Sequence, residues 1–290
     1  MADPKLAYAE NAPGDFFVDS TCIDCDLCRQ IAPAVFEDEN DYSVVWHQPE
    51  SPAEIHRAAM ALVACPTASI GTRTKMDAAA SAAAAAFPEL VEDNVYFCGY
   101  ASRSSYGASS YLIVRPEGNI LIDSPRFALP LVHRIEEMGG VSLMVFSHQD
   151  DVADHEKFHQ HFGCPRVIHQ ADSRGIHAEQ ILKGDTPAAL VPDLLSIPVP
   201  GHTRGHIAVL YRDKFLFTGD HLAWSDNRGG LIAFRDVAWY SWPEQTKSMK
   251  RLLDYRFEWV LPGHGRRAHL APPAMRESLL DCIQWMEATR

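Results

Sequence analysis

No apolar run in this 290-residue chain approaches the roughly 20 residues that a membrane-spanning helix needs, so no transmembrane segment is expected. Basic charge is scarce as well: 26 Lys and Arg stand against 38 Asp and Glu, a formal net charge of −12. Binding to nucleic acid or to an anionic membrane surface needs clustered Lys and Arg, so neither partner is expected. The opening MADPKLAYAENAPGDFF lacks the basic region and apolar run of a secretory signal, which makes a cytoplasmic protein the expectation. An even set of cysteines is missing too. There are seven, and four of them fall at a spacing that suits iron–sulfur chemistry better than a disulfide framework. What the chain does have is 47% apolar residues, enough for a substantial core.

Two blocks of different texture follow one another. The cysteine-rich block ends near Thr74, and KMDAAASAAAAAFPEL, dominated by Ala, separates it from the rest. Ala-rich sequence is either a short helical spacer or a flexible tether. The expected division is therefore 1–74, a linker over 75–90, and 91–290. Beyond the linker, SYLIVRPEGNILIDS reads as two strands, and VSLMVFSH, CPRVIHQ, LLSIPVPGH and HIAVLYRDKFLFTGD read as more. LPLVHRIEEMGG, DVADHEKFHQHFG, WPEQTKSMKRLLDY and PPAMRESLLDCIQWMEATR read as helices. Alternation of this kind predicts a layered α/β domain.

Cys22, Cys25 and Cys28 have the C-x2-C-x2-C spacing that places three thiolates on one tight loop, and Cys65-Pro66 offers a distant fourth. In two-cluster ferredoxins another Cys follows the third after three residues; here that place is Ala32. The block resembles the single-cluster bacterial ferredoxins. With Cys25 rather than Asp at the second position, the resemblance implies a [4Fe–4S] cluster, and residues 1 to about 74 are expected to carry it when expressed alone. A four-Cys zinc site is the other reading of the spacing.

In the second block Asp123, His148, His202, Asp220 and His264 each lie just past a strand, in NILIDS, FSHQD, VPGHTRGH, LFTGDH and LPGHGR. Loops after strands can bring such side chains to one point. From about Val95 to Gly265 the chain resembles the metallo-β-lactamase-fold superfamily. The resemblance implies an αββα sandwich behind a small α+β ferredoxin-like domain. It also implies metal ligands at His202, Asp220 and His264, and a supporting role for Asp123.

The superfamily's second motif, His-x-His-x-Asp-His, is altered here. Aligned without gaps from His148, the chain reads His148, Asp150, Val152, Ala153, so a carboxylate replaces one imidazole and the final pair is lost. This reading expects one Fe or Zn ion at His148, Asp150, His202 and Asp220, with His264 a weak or supporting ligand, and Asp151 and Asp154 at the start of a helix. A gapped alignment makes Asp154-His155 the final pair and restores a second metal. His206 and His221 are expected as supporting groups, His159, His161, His169 and His177 as surface or helix-face residues, and Cys98, Cys164 and Cys282 as buried small hydrophobes. The aromatic stretch containing Trp224, Trp239, Tyr240 and Trp242, with Arg228 and Arg235, either lines a cleft or forms a packing cluster.

Three functions remain open at this point. A redox enzyme passes single electrons from the cluster to the second metal, which acts on oxygen or a reducible small molecule, with a redox partner protein as donor. A metal-dependent hydrolase of thioesters, esters or lactams uses the cluster structurally. An electron-transfer or sensor protein keeps a degenerate site without turnover.

Overall fold

The structure is a computed structural model that describes residues 2–289. Two compact units divide them: one runs to Ser142 and takes in Ala153–Gly163, and the other comprises Leu143–Val152 and the residues from Cys164 onward. This division lies elsewhere than the boundaries read from composition. The cysteine block, the Ala-rich segment and the first strands of the second block share one unit. Among the described residues no helix is long and apolar enough to cross a membrane.

In the first unit the strand Phe16–Val18 pairs antiparallel with Ile70–Thr72, which brings Cys22 and Cys65 to the same end of the block. Between them lie α1 (Leu27–Ile31), the hairpin Phe36–Asp38 with Ser43–Val45, and α2 (Pro52–Ala64). A capping box starts α2: Ser51 Oγ accepts the Glu54 N–H, and the Glu54 carboxylate accepts the Ser51 N–H. The Ala-rich segment becomes α3 (Asp77–Ala85) and packs on α2, so it is a helical spacer and not a tether. An antiparallel meander follows, of Glu89–Glu92, Val95–Phe97, Tyr111–Ile113 and Ile120–Ile122. The unit is completed by α4 (Leu129–Glu137) and by α5 (His155–Phe162), which stops at Gly163 in the left-handed region.

The helix start in the altered motif differs from expectation. Asp154, not Asp151, is the N-cap residue of α5, and its side chain makes no cap hydrogen bond. Its oxygens instead accept from the Phe127 N–H at 2.8 Å and from Lys157 Nζ at 2.7 Å.

The second unit has a parallel group of three strands, Leu143–Val145, Arg166–His169 and Gln180–Leu182. Its six-stranded sheet runs in the order Ala188–Val191, Leu194–Pro198, Ile207–Tyr211, Phe215–Gly219, Trp259–Pro262, Ala268–His269. Only the pairing of Phe215–Gly219 with Trp259–Pro262 is parallel. Helices α6 (Trp242–Arg251) and α7 (Pro272–Ala288) cover this sheet, with Met249, Met275, Leu279, Cys282 and Met286 packed on Ile197, Leu210, Leu216 and Val260. Burial of Cys98, Cys164 and Cys282 is as expected.

The cysteine block also makes close contacts with the segment that follows it, which bear on whether it folds alone. The Ala101 N–H donates to the Ala64 carbonyl at 3.2 Å, and Arg126 Nη2 donates to the Val63 carbonyl at 2.9 Å. Gly107, at φ +90°, approaches so closely that a Cβ there would stand 2.6 Å from Cys25 Cβ and 2.9 Å from its Sγ. A fragment ending at Thr74 is therefore expected to lose the cluster that the full chain retains. Gly107→Ala in the full chain should lower iron and sulfide content, since both backbone strain and contact oppose it; chemical iron and sulfide assays with the visible spectrum read both.

A second prediction concerns the buried Arg166. Its backbone N–H and guanidinium donate to Glu179, just before the edge strand Gln180–Leu182, and these bonds hold the Glu179 carboxyl down to about 2. A depressed carboxyl stabilises the fold above its ordinary value of 4.5 and loses that contribution as pH falls toward 2. Glu179→Gln should flatten the acid limb of the thermal-unfolding profile over this window and leave its neutral plateau lower.

Candidate metal centre and cluster site

The loops that follow four strand ends of the second unit bring together a cluster of buried histidines and carboxylates. His148, Asp150 and Asp151 follow Leu143–Val145, and His202 and His206 lie in the turn between Leu194–Pro198 and Ile207–Tyr211. Asp220 and His221 follow Phe215–Gly219, and His264 follows Trp259–Pro262.

Four donor atoms face one another. His148 Nε2 lies 3.8 Å from both Asp150 Oδ2 and Asp220 Oδ2, and His202 Nε2 lies 3.6 Å from both. Two donors on a tetrahedral ion with bonds of about 2.0–2.2 Å stand about 3.3–3.6 Å apart, so this set is close to the size of a metal site. Neither Nε2 has a hydrogen-bond partner among the described residues, although both histidines are buried. Unpaired imidazole nitrogens in a dry site are costly unless an ion uses them, so the donors fit a divalent metal.

The protonation states agree with that fit. Burial lowers His148 to about 4 and His221 to about 3, and holds His206 well below its ordinary value, so all three are neutral near pH 7. Asp220 stays ionised: burial raises it, but the neighbouring His264, His148 and His202 outweigh burial and hold it below the usual carboxylate range. Asp150 is lowered chiefly by its interaction with His202.

Supporting contacts fix the rings. Ser147 Oγ lies 2.9 Å from His148 Nδ1, which leaves Nε2 as the free donor, and His206 stacks on His148 with centroids 4.8 Å apart. His206 Nε2 accepts the Asp220 N–H at 3.2 Å, which places the His206 proton on Nδ1. His264 Nδ1 lies 2.9 and 3.0 Å from the two Asp220 oxygens.

Sequence reasoning missed two residues. Asp151, expected as a helix cap, is buried and belongs to a second group with His148 and Asp220 whose potential ligand atoms lie within 4.8 Å of one another. Gly263 makes room for it, since a Cβ there would stand 2.5 Å from Asp151 Oδ2 and 2.8 Å from Asp220 Oδ1. The other is Asp172, buried just after Arg166–His169. It accepts from the Gln149 N–H at 3.3 Å, from the Gly205 N–H at 2.6 Å and from the Thr203 hydroxyl. One carboxylate thus holds the His148–Asp150 loop and the His202 turn. Its signal in the sequence was its place, an acid just past a strand.

The remaining candidates sort clearly. Asp154 is engaged by Phe127 and Lys157 as described, and it lies with His155 in the first unit. Asp123, in the same unit, is buried at φ +57° after Ile120–Ile122. His161 contacts Glu136, His169 contacts the Gly184 carbonyl, and His177 contacts Arg166. The aromatic stretch divides. Trp242 packs edge-on against Trp285, and Arg228 lies over Trp285 and pairs with Asp281. Trp239 and Tyr240 are exposed, with the Trp239 ring 6.3 Å from that of His202 and the Tyr240 N–H donating to the His202 carbonyl.

In the first unit Cys22, Cys25, Cys28 and Cys65 line one cavity. Burial pushes the Cys25 thiol up to about 12 and raises Cys28 as well, so bare thiolates are disfavoured there. Iron supplies the positive charge that four converging sulfurs need, and the set fits a cubane cluster.

Residues 18–72 match the 4Fe-4S single cluster domain of Ferredoxin I. A hydroxyacylglutathione hydrolase of Xanthomonas campestris pv. campestris (strain B100) is 31% identical over 116 residues, 39% of this chain and 45% of that protein. The chain thus spans less than half the length of this relative. Among solved structures, the DIM-1 metallo-beta-lactamase superimposes with a TM-score of 0.55 at 19% identity, covering 70% of this chain and 97% of that one. A metallo-beta-lactamase from Hirschia baltica gives 0.53 at 16%, covering 68% and 95%. The chain joins a single-cluster [4Fe–4S] ferredoxin domain to a mixed α/β sandwich of the metallo-β-lactamase fold.

Proposed function

We propose that this protein is an iron–sulfur metalloenzyme in which one Fe or Zn ion, held by His148, Asp150, His202 and Asp220, acts on a small molecule while the cluster exchanges single electrons with it. In this reading residues 1–74 and 91–290 are the two functional parts, joined by the 75–90 segment. The observation that carries it is the donor set: two buried imidazole nitrogens and two carboxylate oxygens at 3.6–3.8 Å, with Asp154 bonded elsewhere. Two imidazoles with hard oxygen donors suit Fe(II), Mn(II) or Zn(II), and such an ion supplies Lewis-acid or redox chemistry. The fusion to an electron carrier favours iron, since hydrolysis needs no electrons.

The chain's own residues divide the remaining work. His148 and His202 are enclosed, whereas the Asp150 side chain is 48% exposed, so substrate approaches from the Asp150 side. Trp239 and Tyr240 offer exposed aromatic surface beside His202 on which a substrate can rest. His264, bonded to Asp220 and only partly buried, is placed to hold or move a proton at the edge of the site. A redox partner protein would deliver electrons to the cluster.

The similarity to hydroxyacylglutathione hydrolase supports a second reading, hydrolysis of a thioester with the cluster in a structural or regulatory role. Metal analysis of anaerobically purified protein separates the two. Iron in excess of the cluster's, by about one atom per chain, with an EPR signal of its own supports the redox reading. Zinc at that stoichiometry, together with turnover of a hydroxyacylglutathione thioester that is indifferent to cluster reduction, sinks it in favour of hydrolysis.

Substitutions test the ligand set. His148→Ala and His202→Ala should abolish binding of this ion, read by metal content after gel filtration. Asp154→Ala should leave stoichiometry unchanged and cost about 1 kcal/mol of stability through its bonds to Phe127 and Lys157. Binding of two ions per second domain, with His155 required for one of them, would make the gapped alignment the correct one.

Removal of Asp172 should act at a distance. Asp172→Ala frees both ligand loops without touching the donors, and metal affinity should fall about 10–100-fold while the saturated stoichiometry stays the same. Competition with a chelator of known affinity measures this.

A further inference from the structure

The cavity that holds the four cysteines contains one polar group without a role. Ser43 opens the strand Ser43–Val45, paired across from Asp38, and is 1% exposed. Its Oγ has no hydrogen-bond partner among the described residues, yet it lines the same cavity as Cys22, Cys25, Cys28 and Cys65. The other two lining hydroxyls are committed. Thr67 and Ser69 bond to each other at 2.6 Å, and Ser69 also meets the Thr21 hydroxyl at 2.7 Å. Apart from these and the cysteines the lining is apolar: Val18, Ile23, Leu27, Pro66 and Ile70.

A buried hydroxyl in such a cavity has sulfur as its available acceptor. Cys22, Cys25, Cys28 and Cys65 supply the sulfurs of that cavity. The Ser43 O–H is thus free to turn toward a cysteine sulfur or a cluster sulfide. Cys65 has a committed donor already, the Ser69 N–H at 3.3 Å from its Sγ.

Resting on the cluster reading above, we propose that the Ser43 hydroxyl donates to a sulfur of the [4Fe–4S] cluster whose cavity it lines and sets its reduction potential. Reduction adds one electron, and the added charge is spread over the iron and sulfur atoms. An O–H directed at one of those sulfurs, inside an apolar wall, stabilises the reduced state more than the oxidised one and raises the potential. Ser43 is thus a positioning and tuning residue, not a ligand.

The test uses the full chain, purified anaerobically, in a dye-mediated redox titration followed by the EPR signal of the reduced cluster. Ser43→Ala should assemble the cluster with native iron and sulfide content and titrate at a more negative potential. At the native midpoint, its ratio of reduced to oxidised cluster should fall roughly three- to tenfold. Ser43→Thr keeps the hydroxyl and should titrate like the native protein. Three results overturn the proposal: a native potential in Ser43→Ala, an equal shift in Ser43→Thr, which would trace the change to packing, or failure of Ser43→Ala to assemble any cluster, which would make the residue structural. Absence of iron and sulfide from the unsubstituted protein would overturn the cluster reading itself.

Discussion

The carboxylate of Asp172 is the constraint on which the candidate metal centre depends. It accepts from the Gln149 backbone, between His148 and Asp150, and from Thr203 and Gly205, on either side of the turn that follows His202. Loops carry many accessible conformations, and fixing each residue of one costs about 1–2 kcal/mol in backbone entropy. A buried side chain that gathers donors from two loops offsets part of that cost and holds their imidazoles at a separation that suits an ion. Asp220 is held by His206, which accepts its backbone N–H, and by His264, which contacts its carboxylate. Contacts of this kind fix the candidate donor atoms from outside the set.

The cluster site follows the same logic with different groups. Converging thiols in an apolar pocket resist ionisation, and both iron and nearby donors are needed to stabilise four sulfurs as anions. The hydroxyls and backbone donors of Thr67, Ser69 and Ser43 surround that pocket, while Gly107 from beyond the Ala-rich helix closes against Cys25. The close approach at Gly107 is one of the contacts that join the cysteine block to the early strands in one compact unit.

The altered motif shows why one-dimensional alignment reaches a limit. Counting from His148 identifies His148 and Asp150, and their side chains do face His202 and Asp220. Counting alone left Asp154-His155 as a competing pair, because a gap of two residues has no visible cost in a polar loop. In the structure the Asp154 carboxylate accepts from the Phe127 N–H and from Lys157. Asp151 was read as a cap by its position before an apolar pair, yet it is turned inward near Gly263, a contact across more than a hundred residues of chain.

What the sequence by itself determined is whatever depends on spacing and local periodicity. The C-x2-C-x2-C run, the strands ending in His148 and Asp220, the helices α4, α6 and α7, and the Gly163 stop all follow from interactions within a few residues of one another. Tertiary structure alone decided which acids face the metal site, that Asp172 joins two ligand loops, that Trp239 is exposed while Trp242 is packed, and that Gly107 meets Cys25. Each of those outcomes rests on a contact between residues far apart in the chain. Such a contact leaves no local pattern, because its energy comes from burial and pairing that exist only once the strands have assembled.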